Sequence, residues 1–181
     1  MTSERSDQDL VGECRNGDDR AFDALFSRYE RPIFNTILRM VRHRDDAQDL
    51  TQTVFVKAYE QLSSYDPRFK FYSWIYRIAV NESINHLRGR GRYEPLDGEW
   101  PSDRVGPEDA LAAAELGRGV QDAMMTLSPD HRAAIVLKHF VGCSYQDIAE
   151  ILGIREKVVK SRLFTARRIL RDVLVARGIV R

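Results

Sequence analysis

Apolar residues recur at intervals of three and four along almost the whole chain, which is the signature of amphipathic helices. Ala21, Leu25, Phe26 and Tyr29 form the first stripe, with Phe22 beside them and Asp18-Asp19 ahead as cap and first-turn charge. Pro32 is expected to kink or break this stretch, and Ile33–Val41 resumes its pattern. A second helix is predicted from about Asp45-Asp46, with the stripe Ala47, Leu50, Val54, Ala58 and Leu62. A third is predicted from Phe71 to Leu87, between Pro67 and the pair Gly89 and Gly91. Residues 92–107 carry three of the six prolines and no clear period, and read as a linker. A helix is then expected over Glu108–Met125, followed by helices over 129–141, 145–152 and 156–175, the first of them with Ser128 as cap and Pro129 at its first position. No alternating strand pattern is visible. The fold class read from this is all-α, with two small helical domains joined by a flexible linker: 1–91, the linker at 92–107, and 108–181.

The last three helices have a more specific form. Tyr145-Gln-Asp-Ile-Ala-Glu-Ile-Leu-Gly-Ile reads as a helix and a tight turn, with Ala149 small where two helices would cross and Gly153 free to take positive φ. Val159, Leu163, Ala166 and Leu170 would bury the next helix. Its other faces carry Arg155, Lys157, Lys160, Ser161, Arg162, Arg167, Arg168 and Arg171. This is the pattern of a helix-turn-helix whose second helix enters a major groove, with cations on phosphates and a few side chains on base edges. A basic, solvated helix of an ordinary bundle is the competing reading.

Charge sharpens this picture. The 181 residues hold 28 basic and 27 acidic side chains, a net charge of +1. The balance by segment is −3 over 1–65, +4 over 66–92, −6 over 93–126 and +6 over 127–181. Two basic blocks flank an acidic one, and distribution says more about partners than the total. Two cysteines, Cys14 and Cys143, make no disulfide framework and suit a reducing compartment. The charged amino terminus lacks the apolar core of a signal peptide, and no apolar run reaches the ~20 residues of a membrane span. A soluble, cytoplasmic protein is expected.

The N-terminal half carries two candidate faces. Acids and amides open the helix at Asp45-Asp46, where they favour the helix dipole. The outer positions Gln48, Asp49 and Gln52 could equally dock a partner. Residues 63–77, SSYDPRFKFYSWIYR, are the densest in aromatics. Phe71, Trp74, Ile75 and Ile78 lie at core spacing. Tyr72 and Tyr76 pair on another face, and Arg77, Asn81, Asn85 and Arg88 continue as a polar stripe. Rings beside cations suit single-stranded nucleic acid, because any base can stack while the cation holds the backbone. The 63–70 segment, with Arg68 and Lys70, could form a pocket for an extruded base.

Taken in order, these segments resemble the extracytoplasmic-function group of the sigma-70 family, over about nine-tenths of the chain. Asp49-Leu50-Thr51-Gln52-x-x-Phe55 resembles that family's helix that docks on the β′ clamp helices of RNA polymerase. Phe71-x-Ser73-Trp74-Ile75-Tyr76-Arg77-Ile78-Ala79-x-Asn81 resembles its promoter-melting and −10 segment. Leu127-Ser128-Pro129 through Ser144-Tyr145-x-x-Ile148-Ala149 and Val159-Lys160-Ser161-Arg162-Leu163 resembles its fourth domain, which reads the −35 element. The resemblance implies a transcription initiation factor rather than an enzyme. Gln48, Asp49, Gln52 and Phe55 would bind polymerase. Arg68, Lys70, Tyr72, Trp74, Tyr76, Arg77, Asn81, Asn85 and Arg88 would hold the −10 strand. Arg155, Lys157, Lys160, Ser161, Arg162, Arg167 and Arg168 would bind the −35 duplex. It further implies polymerase core (clamp helices and β flap) and promoter DNA as partners, no cofactor, and an anti-sigma factor holding the chain at the inner membrane face. The acidic linker would thread a channel built for RNA.

The chain departs from the family pattern at Thr53, where an acid is usual, at Asn85 for aspartate, and at Thr165 for arginine. Arg155-Glu156-Lys157-Val158 stands where a Pro-x-Gly-Thr turn is usual, so Val158 offers no hydroxyl cap and Lys157 no easy positive φ. A stand-alone helix-turn-helix regulator is the first alternative function. A metal-dependent enzyme using His139 and Cys143 is the second. The latter lacks a completed ligand set, and His43, His86 and His131 are scattered without a nucleophile.

Overall fold

The computed structural model describes residues 5–89 and 117–180. Among these every regular element is helical. The linker at 92–107 and the first residues of the helix expected from Glu108 lie outside the described residues.

The chain opens on α1 (Asp7–Arg15), which the periodicity did not reveal. Its start is fixed by a reciprocal cap between Ser6 and Asp9, and Leu10 and Val11 bury its inner side. Helix α2 (Asp19–Val41) begins at the cap Asp18 and runs unbroken through Pro32. The expected break is absent, because Tyr29, Ile33 and Ile37 are buried on either side of the proline and packing outweighs the lost hydrogen bond. Arg42 ends α2 with φ of 56°, a left-handed cap whose N–H reaches Leu38 O at 2.8 Å. Helix α3 (Arg44–Gln61) is capped by His43, whose Nδ1 accepts from Asp46 N–H at 3.2 Å. A short 3-10 turn, Leu62–Ser64, and a second turn, in which Phe69 N–H donates to Asp66 O at 3.1 Å, lead to α4 (Phe71–Gly89). Helices α2, α3 and α4 pack on one another, with α1 against α2.

The C-terminal half opens on α5 (117–124). Helix α6 (Pro129–Ile135) starts as expected, with Ser128 as cap and Pro129 in its first turn. It passes into a π-helical turn, Val136–Val141, that ends at left-handed Gly142. Helices α7 (Tyr145–Leu152) and α8 (Glu156–Ala176) complete the helix-turn-helix. Gly153 between them has φ of 63°, as its turn requires. Val159, Leu163 and Ala166 are buried and Leu170 is packed against them, so the predicted stripe is the inner face.

The two halves are not separate bodies. Helix α7 packs on α4, and the π-helical turn packs on α2. Buried side chains from Leu10 to Ala166 form one continuous apolar cluster. Arg132 is the polar rivet of this joint. Only 4% exposed, it donates to Met124 O, Met125 O and Leu127 O at the end of α5, and across the joint to Met40 O at the end of α2. A guanidinium facing carbonyl-rich helix ends is favoured by both dipoles. Burial nevertheless pushes its pKa down to about 10.

Candidate nucleic-acid interfaces

The first face belongs to α8. Arg155, Lys157, Lys160, Ser161, Arg167 and Arg168 are exposed, and Arg162 is half-buried. The stripe that buries Val159 and Leu163 leaves these side chains pointing outward from one helix. Lys160 is steadied by Glu156 at 2.8 Å, and Arg162 by Asp130 at 3.2 Å. Arg155 is the cap position of α8 and has no side-chain cap. Lys157 and Val158 lie inside the helix, so neither has to cap it or take positive φ. Gly153 makes the turn, so the departure from a Pro-x-Gly-Thr pattern falls on the cap and first turn of α8. His139 Nε2 accepts from Arg167 at 3.3–3.4 Å, and burial pushes the His139 pKa down, helped by Arg167 and Lys138.

The second face belongs to α4, and its side chains follow the sequence reading except at Tyr76, expected on the outer face and found buried. Phe71 and Ile75 are core, and Trp74 and Ile78 are half-buried against it. Tyr65, Phe71 and Trp74 form a ring cluster with centroids 5.3–5.8 Å apart, joined by Tyr29 at 5.5 Å from Phe71. Arg15 holds the approach to α4, donating to the carbonyls of Leu62, Ser63 and Tyr65. The rings of Tyr72 and Tyr76 lie 4.7 Å apart, tilted by 44°, but Tyr76 is buried and its phenol is pushed up to about 12 by that burial. Arg68 is exposed and paired with Asp66; Asn81 and Asn85 are exposed.

The rest of this face meets the C-terminal half. Lys70 Nζ lies 2.9 Å from Asp147 Oδ1. The Tyr72 hydroxyl lies 2.7 Å from Cys143 Sγ, and burial pushes both groups up from their ordinary pKa. Arg77 donates to Glu150 O and, at 3.4 Å, to Ile151 O, the last carbonyls of α7. Arg88 reaches Asp130 at 3.1 Å. Asp147 is held below the ordinary carboxylate value by its bond from Ser144 and then by Lys70. Asp130, Asp147 and Arg132 are absent from the sequence-based site, since nothing in their local pattern marks a contact with a helix many residues away.

The third face is the outer side of α3. Gln48, Asp49 and Gln52 are exposed along it, and Val56 and Tyr59 continue it one turn on. Phe55 lies behind them, buried against Phe26 with centroids 4.6 Å apart. The two residues weighed as metal ligands part company: Cys143 turns to Tyr72 and His139 to Arg167. No cluster of three metal-ligating side chains occurs among the described residues.

Two segments match family descriptions: residues 25–93 match Sigma-70 region 2, and residues 118–170 match Sigma-70, region 4. The chain is 37% identical to the RNA polymerase sigma-H factor of Pseudomonas aeruginosa, over 92% of this chain and 93% of that one. This chain is an extracytoplasmic-function sigma factor of the sigma-70 family. The sigma factor is also 36% identical to the ECF RNA polymerase sigma-E factor of Haemophilus influenzae, over 95% of this chain and 97% of that one. Its fold is similar to that of CnrH in complex with the cytosolic domain of CnrY, at a TM-score of 0.74, 28% identity and 95% and 99% coverage. It is also similar to RpoE of Bartonella quintana in complex with the anti-sigma factor NepR, at 0.69 and 25% identity, over 84% of this chain and 96% of that one. The region 2 match holds most of α2 with α3 and α4, and the region 4 match holds α5 to most of α8. Among the described residues of this sigma factor, no helix is long and apolar enough to cross a membrane.

Proposed function

We propose that this sigma factor binds RNA polymerase core through α3, captures the melted −10 strand on α4, and reads the −35 element as duplex with α8. The functional units are 1–91 and 108–181, with 92–107 as their connector. Gln48, Asp49 and Gln52 make the polymerase contact, with Phe55 acting from behind to set the spacing of α3. Arg68, Lys70, Tyr72, Trp74, Arg77, Asn81, Asn85 and Arg88 serve the single strand, and Tyr76 supports Tyr72 from below.

The single observation that carries this reading is the cationic outer face of α8, with Arg155, Lys157, Lys160, Ser161, Arg167 and Arg168 all exposed on the second helix of a helix-turn-helix. Exposed cations along such a helix neutralise phosphates on either side of a groove. The rings and cations of α4 supply what a single strand needs. Chemistry stays with the polymerase; this chain supplies recognition and strand capture. The two solved relatives lie in complexes, one of them with an anti-sigma factor. We extend that relation to this chain, with a cytoplasmic location and an anti-sigma partner that holds it at the inner membrane face.

The test is run-off transcription with reconstituted polymerase core and a pool of genomic promoters. Start sites that appear only with this chain support the reading. Failure of the chain to bind core in a pull-down overturns it in favour of a stand-alone DNA-binding regulator.

A further inference from the structure

We propose that His139 is a further contact to the backbone of duplex DNA, paired with Arg167, and that it takes up a proton when a phosphate docks on the pair. This contact presupposes that α8 faces the duplex, and it adds a residue from outside that helix.

His139 stands on the π-helical turn Val136–Val141, a rare geometry that often marks functional positions. The turn brings it to the flank of α8, where its Nε2 lies 3.4 Å from Arg167 Nε and 3.3 Å from Arg167 Nη2. A guanidinium has only donors, so Nε2 accepts and the imidazole is neutral, with its proton on Nδ1. Arg167 follows Lys160 by about two helical turns, so the two share one side of α8. Beside them, the Tyr145 ring has Lys160 Nζ at 5.9 Å and Lys138 Nζ at 4.9 Å from its centroid. Lys138, His139, Lys160 and Arg167 thus line one edge of the helix-turn-helix. Of these four, His139 alone carries no charge.

Partial burial, Arg167 and Lys138 hold His139 below the ordinary histidine value. Among the described residues, those two cations are the charged groups that act on it. From α2, Arg39 lies over the neighbouring Phe140 ring at 4.0 Å. The acids of α6 and α7 turn elsewhere: Asp130 meets Arg88 and Arg162, Asp147 meets Ser144 and Lys70, and Glu150 lies at the far end of α7. On α8, Glu156 pairs with Lys160. A phosphate reverses this balance. Its oxygens accept from Arg167, and they accept from Nε2 as well once that nitrogen is protonated. The charge then added beside His139 is negative, so its pKa rises on binding. A group whose pKa rises on binding strengthens that binding as pH falls. The gain is full below the pKa of the free chain and absent above that of the bound one.

Anisotropy titrations of the full chain test this, with a rhodamine-labelled duplex of about twenty base pairs at fixed salt, from about pH 8 to about pH 6. Over that range wild type should gain about fivefold more affinity than H139Q. The glutamine oxygen keeps the bond from Arg167 but cannot take the charge. H139K supplies a fixed cation and should bind at the upper pH as tightly as wild type does at the lower. The salt slope of wild type should steepen by roughly one between the two. His43, His86 and His131 are common to all three proteins and cancel in the comparison. An H139Q profile that matches wild type overturns the proton-linked contact. If R167A also leaves duplex affinity unchanged, the assignment of Arg167 to DNA has failed and the pair with it. If R167A weakens binding while H139Q keeps the wild-type profile, only His139 is removed. His139 is exposed, and melting curves at both pH values verify that the variants fold.

Discussion

The helices α4 and α8 both carry a row of cations, yet one row is covered and the other is open. The cations of α8 stand on a helix whose opposite side is bound to its own half by Val159, Leu163 and Ala166. Those of α4 stand on a helix that is buried on one side against α2 and α3 and met on another by α7. The same kind of residue therefore has two situations. On α8 a cation has only neighbours in its own half, such as Glu156, to steady it. On α4 it already has a partner in the other half of the chain. A charge count alone cannot separate these cases; the packing of the helix behind each row does.

The joint between the halves is where this comparison breaks most easily. Replacing Arg132 with alanine strands four carbonyls, including Met40 O across the joint. The expected loss is about 3–5 kcal/mol of folding stability in urea denaturation, with lysine recovering part of it. A loss of less than about 1 kcal/mol, the size of one ordinary hydrogen bond, would show that Arg132 does not hold the joint. Next in size is Leu163→Ala, which empties a fully buried site under α8. It should cost about 3 kcal/mol. Duplex binding should fall while capture of single strands by α4 persists, and a parallel loss of both would show that the two faces depend on one another.

Smaller effects sharpen the contrast. The pair Lys160→Ala and Arg168→Ala should weaken binding to promoter duplex by about tenfold and reduce the salt slope by roughly one for each phosphate left unneutralised. Anisotropy titrations across a salt series measure both, and an unchanged slope excludes phosphate contact. Arg155→Ser supplies the side-chain cap that α8 lacks. It should raise stability by about 0.5–1 kcal/mol while weakening duplex binding, a trade visible in melting and anisotropy together. A stabilised variant with undiminished binding would remove Arg155 from the duplex-reading set.

Where a signal was local, the sequence carried it. The turn at Gly153 and the stripe from Val159 lie within a few turns of one another, and each does in the fold what its spacing implied. The aromatic run of α4 divided only in part: Phe71 and Ile75 are core as their spacing implied, but Tyr76, expected on the outer face, is buried. Local context also misled. Pro32 suggests an interruption of α2, and the apolar packing around it keeps the helix whole. The capping signal at Ser6 and Asp9 is present, but Leu10 and Val11 are too short an apolar run to announce α1. What could not be read was the meeting of Lys70 with Asp147, 77 residues apart in the chain. Such a contact leaves no period in either helix. Arg132 likewise looks like any other basic residue of an amphipathic helix until the end of α2 is placed beside it.

Arg77 bonds the main chain of α7 and not its side chains. A carbonyl is present whatever residue stands at positions 150 and 151. The contact therefore persists through side-chain substitution at positions 150 and 151, whereas the neighbouring Lys70–Asp147 pair is lost with one side chain. Heritable change in this contact between the halves has to come from Arg77 itself. Because Arg77 is also the residue proposed for the DNA strand, a change there would alter the joint between the halves and promoter use together, and selection on one would be felt by the other.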